Sequence, residues 1–314
     1  MIKKTLCFSN PAYLSMKNAQ LVIKLPEVEK SEALSESYKT ETVRTIPIED
    51  IAVVVIENKQ ITITAGLLEA LLENNCAVIT CDSRCMPQGL LLPLEGNTTQ
   101  SERFTAQIEA SLPLKKQLWQ QTIQMKIENQ AAVLKKCRNL EVINMQRWVG
   151  EVRSGDVDNM EARAAVYYWK NLFPDVEDFT RNREGIVPNN LLNYGYAILR
   201  AVIARSLVAS GLLPTLGIHH HNRYNAYCLA DDIMEPYRPF VDKLVVEIID
   251  VETDNYTFLE LTKEIKTKLL QIPVLDVIIN GQRSPLMIAA GQTTASLAKC
   301  YLGDLRKITY PSFE

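Results

Sequence analysis

Leu90-Leu91-Leu92-Pro93-Leu94-Glu95-Gly96-Asn97-Thr98-Thr99-Gln100-Ser101-Glu102-Arg103 is where the hydrophobic pattern of this 314-residue chain changes period. Upstream, apolar and β-branched residues come in short runs, at 6–8, 12–15, 20–24, 43–46 and 51–56, then at 77–80 and 89–92, with one short helical stretch at 66–73. Runs of that length, bounded by turn residues, predict strands. Downstream, apolar residues recur three and four apart over long windows, at 101–136, 140–152, 156–171, 188–209, 236–248, 257–270 and 286–300. That spacing predicts helices. The expected fold is therefore α+β: an N-terminal β-rich, β-sandwich-like domain over residues 1–95, followed by a larger all-α domain over 101–314. A chain of 314 residues is long enough for two such cores.

Pro188 stands where a first-turn proline is tolerated, and Gly211 follows the apolar run 191–208 as a stop signal. Residues 26–50 carry seven acidic residues against Lys30, Lys39 and Arg44, the pattern of a solvated hairpin extension. A composition of 47% hydrophobic and 23% charged residues excludes a disordered or fibrous chain. No uninterrupted apolar run approaches the roughly 20 residues that span a bilayer, and the first ten residues hold no long apolar segment, so a cytoplasmic protein is expected. Seven scattered cysteines form no disulfide framework, and Cys81 and Cys85 lack a second pair with zinc spacing. The formal charge of −3 excludes a chain coated in basic groups, while a local basic patch stays open.

Such a patch is visible from Leu112 to Arg153. Eight basic residues (Lys115, Lys116, Lys126, Lys135, Lys136, Arg138, Arg147, Arg153) face three acidic ones, with Trp119 and Trp148 interleaved. Cations could follow a phosphate backbone while a ring stacks on a base; a solvated helix face with tryptophans in the core has the same pattern.

All three histidines of the protein are adjacent, in Gly217-Ile218-His219-His220-His221, and shortly afterwards comes Leu229-Ala230-Asp231-Asp232-Ile233-Met234-Glu235-Pro236. In a helical turn, Asp231 and Asp232 each share a face with Glu235. Carboxylates crowded in this way become favourable when a divalent cation supplies the counter-charge. Carboxylates with one imidazole suit Mg2+ or Mn2+. Spacing does not choose among the three histidines, and solvated acidic pairs beside a polar histidine turn would look the same.

These blocks, together with Pro188-Asn189-Asn190-Leu191-Leu192-Asn193-Tyr194-Gly195-Tyr196-Ala197, resemble the CRISPR-associated protein one family, and most closely its type II branch. Ile46-Pro47-Ile48-Glu49-Asp50-Ile51, Gln100-Ser101-Glu102-Arg103 and Met160-Glu161-Ala162 agree with it, so the likeness runs nearly end to end. The resemblance implies a DNA integrase and endonuclease of CRISPR adaptation, dependent on Mg2+ or Mn2+, which inserts short double-stranded fragments as new spacers at the repeat of a CRISPR array. Carried over by motif, the implied metal ligands and catalytic residues are Glu161, His220 and Glu235 in the helical domain, with Asp232 as a further acidic position in or beside the site. The implied reaction is a transesterification by a DNA 3′-hydroxyl, for which no enzyme nucleophile is needed. The implied partners are DNA, a second copy of the chain, CRISPR-associated protein two, and in type II systems the effector nuclease and a DNA-end-binding accessory protein.

Two other readings compete. A carboxylate-bridged di-iron bundle would need Glu-x-x-His motifs, which this sequence lacks. A non-catalytic DNA-binding scaffold would use the same histidines only to stabilise a loop.

Overall fold

The computed structural model describes residues 3–174, 176, 179–182, 185, 187–251 and 260–313. The chain forms two compact units, Met1–Gly96 and Asn97–Glu314.

The first unit contains β1 (Lys4–Phe8), β2 (Tyr13–Lys17), β3 (Gln20–Lys24), α1 (Pro26–Glu29), α2 (Glu36–Thr42), β4 (Arg44–Pro47), β5 (Ile51–Ile56), β6 (Thr62–Ile63), α3 (Ala65–Glu73), β7 (Ala77–Cys81) and β8 (Pro87–Leu91). Its strands make two four-stranded sheets, ordered β1-β5-β7-β8 and β4-β3-β2-β6. Within the first sheet β5 is parallel to both neighbours, which explains its unbroken run Ile51-Ala52-Val53-Val54-Val55: a strand covered on both faces has no polar side to alternate with. Leu14 and Leu21 of one sheet, Val54 and Val78 of the other, and Leu67 and Leu71 of α3 share one core. The acidic segment extends the hairpin of the antiparallel strands β3 and β4: between them the chain forms the short helices α1 and α2, the first started by Pro26 and the second capped by Ser35, whose hydroxyl accepts from the Tyr38 N–H. Neither helix buries a residue, so this connection is solvated as its charge requires, while Ile48 after β4 is buried.

The second unit is mostly helical: α4 (Gln100–Ile108), α5 (Leu112–Arg138), α6 (Ile143–Glu151), α7 (Met160–Leu172), α8 (Asn189–Ala209), α9 (Cys228–Met234), α10 (Arg238–Val251), α11 (Lys263–Leu269) and α12 (Leu286–Leu302). The single helix expected over 101–136 is two. Pro113 has no N–H to continue a helix, and Ser111 caps a new one by accepting from the Leu114 N–H. Of the helix expected at 257–270, residues 257–259 lie outside the described residues, and α11 begins at Lys263. The unit also holds a two-stranded antiparallel hairpin, β9 (Asp276–Ile279) and β10 (Gln282–Pro285), turned by Asn280-Gly281 with both residues at positive φ.

The helix α8 is the frame of the unit. Over its 21 residues it is apolar enough to cross a membrane by length and composition, yet most of it is buried within the protein. Gly195 permits its close approach to α10, because a Cβ there would stand 2.6 Å from Val241 Cγ1. Trp119 and Trp148 are buried, so the tryptophans of the basic window belong to the core and present no ring for a base. All seven cysteines are free thiols.

Candidate metal centre

Four segments of the helical unit supply the charged groups singled out above. On α5 the buried face runs Leu118, Trp119, Thr122, Ile123, Lys126, Ile127, Gln130, which places an ammonium inside an apolar stripe. Ahead of α7 stands Asp156, whose two carboxylate oxygens accept from the Met160 and Glu161 N–H groups at 2.9 and 3.0 Å. This caps otherwise unpaired amides and fixes Glu161 in the first turn. α9 carries Asp231 and Asp232, and the 3-10 turn Glu235–Tyr237 follows it directly.

Glu161 and Glu235 converge. Lys126 Nζ lies 2.6 Å from Glu161 Oε1 and 2.6 Å from Glu235 Oε2, while Arg238 Nη2 stands 3.0 Å from Glu235 Oε1. The Glu235 side chain is 5% exposed, and its Oε2, which has no donor in good alignment, is held by the Lys126 ammonium at 2.6 Å. Burial pushes the Glu235 carboxyl up, but Arg238 and Lys126 outweigh it and hold the group below the ordinary glutamate range. Burial likewise works against the Lys126 ammonium, and the two glutamates more than offset it.

The histidine loop is built on Asp232, which is fully buried. Its carboxylate accepts from the N–H groups of Ile218 (2.6 Å), His219 (2.9 Å) and His220 (3.3 Å), and Oδ1 also meets His220 Nδ1 at 2.5 Å. The bond at Nδ1 engages that nitrogen and leaves Nε2 as the one that could ligate. That hydrogen bond raises the His220 pKa above its usual 6.5, against the effect of burial. Trp119 stacks on His219 with ring centroids 4.3 Å apart and meets the edge of His220 at 5.6 Å. His220 and Glu235 are close enough to perturb one another's titration, and Glu161 acts on His220 too.

Gly217 makes the turn possible. A Cβ there would collide with the His220 carbonyl oxygen and stand 2.9 Å from Asp232 Oδ2. Gly217→Ala is expected to unseat the loop, lowering the melting temperature by about 3–10 °C, for a cost of roughly 1–3 kcal/mol, and removing most activity. A melting curve of the variant superimposable on that of wild type would contradict this.

The expected crowding of Asp231, Asp232 and Glu235 on one helix face does not occur. Asp231 is taken by Arg200 at 2.6 Å and by Asn225 at 2.7 Å, Asp232 by the histidine loop, and Glu235 by Lys126 and Arg238. The helix ends at Met234, so each carboxylate meets a different neighbour. Lys126 itself gave no signal as a site residue beyond being one charge within an apolar stripe. Among the described residues, no three His, Cys, Asp or Glu side chains stand close enough to hold an ion in this arrangement. The donor set nevertheless fits a hard divalent cation: two carboxylates already meet at one positive charge, a buried carboxylate oxygen has no aligned donor, and an imidazole is oriented beside them. Of the arginines near the blocks, Arg163 and Arg181 lie over Trp148 and Tyr196, and Arg238 over Tyr196, while Arg223 is exposed and donates to the Tyr224 hydroxyl.

The model of the family described as CRISPR associated protein Cas1 matches residues 6–270. The chain is 38% identical over 297 residues to the CRISPR-associated endonuclease Cas1 of Neisseria meningitidis serogroup C (strain 8013), covering 94% of this chain and 91% of that protein. Among solved structures, a casposase bound to integration product matches with a TM-score of 0.75 at 20% identity, covering 98% of this chain and 92% of that one. A chain of a Cas6-RT-Cas1–Cas2 complex matches with a TM-score of 0.70 at 19% identity, over 97% of this chain and 35% of the other. At these identities the two structures share the fold.

Proposed function

The chain belongs to the Cas1 family of CRISPR-associated proteins, and from that membership we propose that it is the divalent-metal-dependent DNA integrase and endonuclease of CRISPR adaptation. The single observation that supports a metal centre is the convergence of Glu161 and Glu235 on one cation beside His220. Glu161, His220 and Glu235 would hold Mg2+ or Mn2+, with Asp232 behind His220. When bound, the ion supplies Lewis-acid polarisation of the phosphate and neutralises charge developing on it.

In the reaction, the 3′-hydroxyl of a DNA fragment forms a new P–O bond at the edge of a CRISPR repeat. The P–O bond to the repeat's own 3′-oxygen breaks, and the proton lost by the first hydroxyl is balanced by one gained on the second. The chain contributes orientation: Asp232 fixes the His220 ring, Asp156 fixes Glu161, and Arg238 balances Glu235. The exposed Arg223, three residues after His220, would meet phosphate in this reading. The partners we propose are the DNA fragment and repeat, a second copy of the chain and CRISPR-associated protein two. A type II effector nuclease and a DNA-end-binding accessory protein would join in fragment selection. The free thiols and buried α8 accord with a cytoplasmic site of action.

One observation favours the scaffold reading: a lysine bridging two glutamates is also what a purely structural ion-pair cluster looks like. Strand transfer of a short duplex into a leader-repeat DNA, with CRISPR-associated protein two present, decides between them. Transfer with Mn2+ or Mg2+ that stops in EDTA supports the integrase; equal products with and without metal would sink metal dependence, and no transfer under any condition would leave the scaffold.

The pH dependence of metal binding follows from His220. Its pKa is raised, the protonated ring cannot ligate, and so the proton competes with the ion at and above pH 6.5 and increasingly below. Mn2+ affinity measured calorimetrically is expected to fall from pH 8 to pH 6, approaching about tenfold per pH unit once His220 is mostly protonated. An affinity unchanged over that range would remove His220 from the ligand set.

A further inference from the structure

We propose that Lys126 is a built-in counter-ion that occupies the cation position of this centre in the metal-free protein and gives it up when a divalent ion binds. The inference rests on the metal-centre reading above and goes beyond it in assigning Lys126 a role.

Three features of the geometry carry it. The ammonium is 2.6 Å from an oxygen of each glutamate and so stands between the two carboxylates that would hold the ion. Arg238 meets Glu235 at its other oxygen, Oε1, so among the described residues Lys126 is the cation in contact with Oε2. Among the described residues the ligands are not yet close enough to hold an ion, so they must draw together around it, and an ammonium in contact with both carboxylates stands in the way. Two glutamates against Lys126 and Arg238 are electrically balanced; adding a dication without moving the ammonium would put like charges side by side. The centre has an open edge, with His220 46% and Glu161 25% exposed, and a four-carbon stem lets the ammonium swing.

A residue of this kind stabilises the empty site and weakens metal binding by competition. A merely structural lysine would do the first without the second. The test is Mn2+ titration, by calorimetry and by the loss of free-ion paramagnetic resonance signal, of wild type, Lys126→Met and Glu161→Gln, with melting curves in EDTA and in Mn2+. The expected result is that Lys126→Met melts lower than wild type in EDTA, binds Mn2+ about tenfold more tightly or better, and gains more in melting temperature from Mn2+. Unchanged or weaker binding by Lys126→Met, with wild-type binding intact and lost in Glu161→Gln, overturns the proposal and leaves the metal centre standing. Failure of both wild type and Lys126→Met to bind Mn2+ overturns both.

Should Lys126→Met lack a cooperative melting transition, Lys126→Gln is scored by the same outcomes. Wild type supplies an independent measurement. Saturating Mn2+ is expected to increase acylation of Lys126 by an amine reagent, followed by mass spectrometry, and protection unchanged on saturation overturns displacement.

Discussion

Glu161→Ala, His220→Ala and Glu235→Ala are each expected to lower strand transfer by about a hundredfold or more, and any two together to cost little beyond either one. The reason is shared purpose. If the three side chains hold one ion, losing the first removes what the others act through, and effects on a common unit do not add. His219→Ala and His221→Ala serve as controls of different kinds: His219 covers Trp119 as a stacked ring, so its loss should loosen the loop modestly, while His221 is exposed. The substitutions differ in what they do to folding. Glu161 is a quarter exposed and its removal leaves Lys126 one partner, whereas Glu235→Ala strands both Lys126 and Arg238 without their shared buried carboxylate. Breaking a buried pair costs roughly 3–5 kcal/mol, so Glu235→Gln, which keeps shape and loses charge, should be measured beside it. DNA binding is expected to survive in all of them, since phosphate contacts made by other residues do not need the ion. Wild-type integration by Glu161→Ala would end the assignment, and an inactive His219→Ala beside an active His220→Ala would move the ligand role to His219.

Elements appear in sequence where one physical signal dominates. β5 is legible because six consecutive apolar residues of strand length leave no helical alternative, and β3 because Gln20 and Lys24 bound its apolar run. The α4–α5 break and the β9–β10 hairpin are less so. Pro113 sits inside a window whose apolar spacing fits a helix on both sides, and only its position two residues after Ser111 marks a new start. The hairpin had its own signal in Asn280-Gly281, masked by the helices at either end.

The site divides in the same way. His220 and Glu235 lie in motif blocks; Glu161 is a lone helical glutamate that nothing in its own spacing distinguishes, since its position beside Lys126 comes from the Asp156 cap and from α5 packed beside it. In sequence Lys126 is one of eight basic residues in a window that fits either a phosphate-following patch or a solvated helix face. What separates it is its position in the stripe with Ile123 and Ile127, because an unpaired ammonium there would be too costly to bury and must therefore have carboxylate partners. Those partners come from α7 and the turn after α9, distances along the chain at which periodicity carries no information.

Asp232 offers the second large effect, and it separates a ligand from a residue that holds one. Asp232→Ala is expected to leave three backbone N–H groups of the histidine loop without their acceptor, at least one of them fully buried. Each such group costs about 1–3 kcal/mol, less where water reaches it, so a loss of roughly 2–5 kcal/mol and a fall of about 5–15 °C in melting temperature follow. Asp232→Asn is nearly as poor a substitute, because its amide group presents a donor where the loop presents donors. Strand transfer should drop as far as in His220→Ala, since without the carboxylate at Nδ1 the ring loses its orientation. The decisive comparison is the double variant Asp232→Asn with His220→Ala. If Asp232 works only through the loop and His220, Mn2+ binds the double variant no more weakly than His220→Ala alone, because the residue being positioned is already gone. If Asp232 is itself a ligand, the double variant loses a further step of affinity, about tenfold or more. The four hydrogen bonds already made by the Asp232 carboxylate leave little of it for an ion, and the first outcome is the one expected.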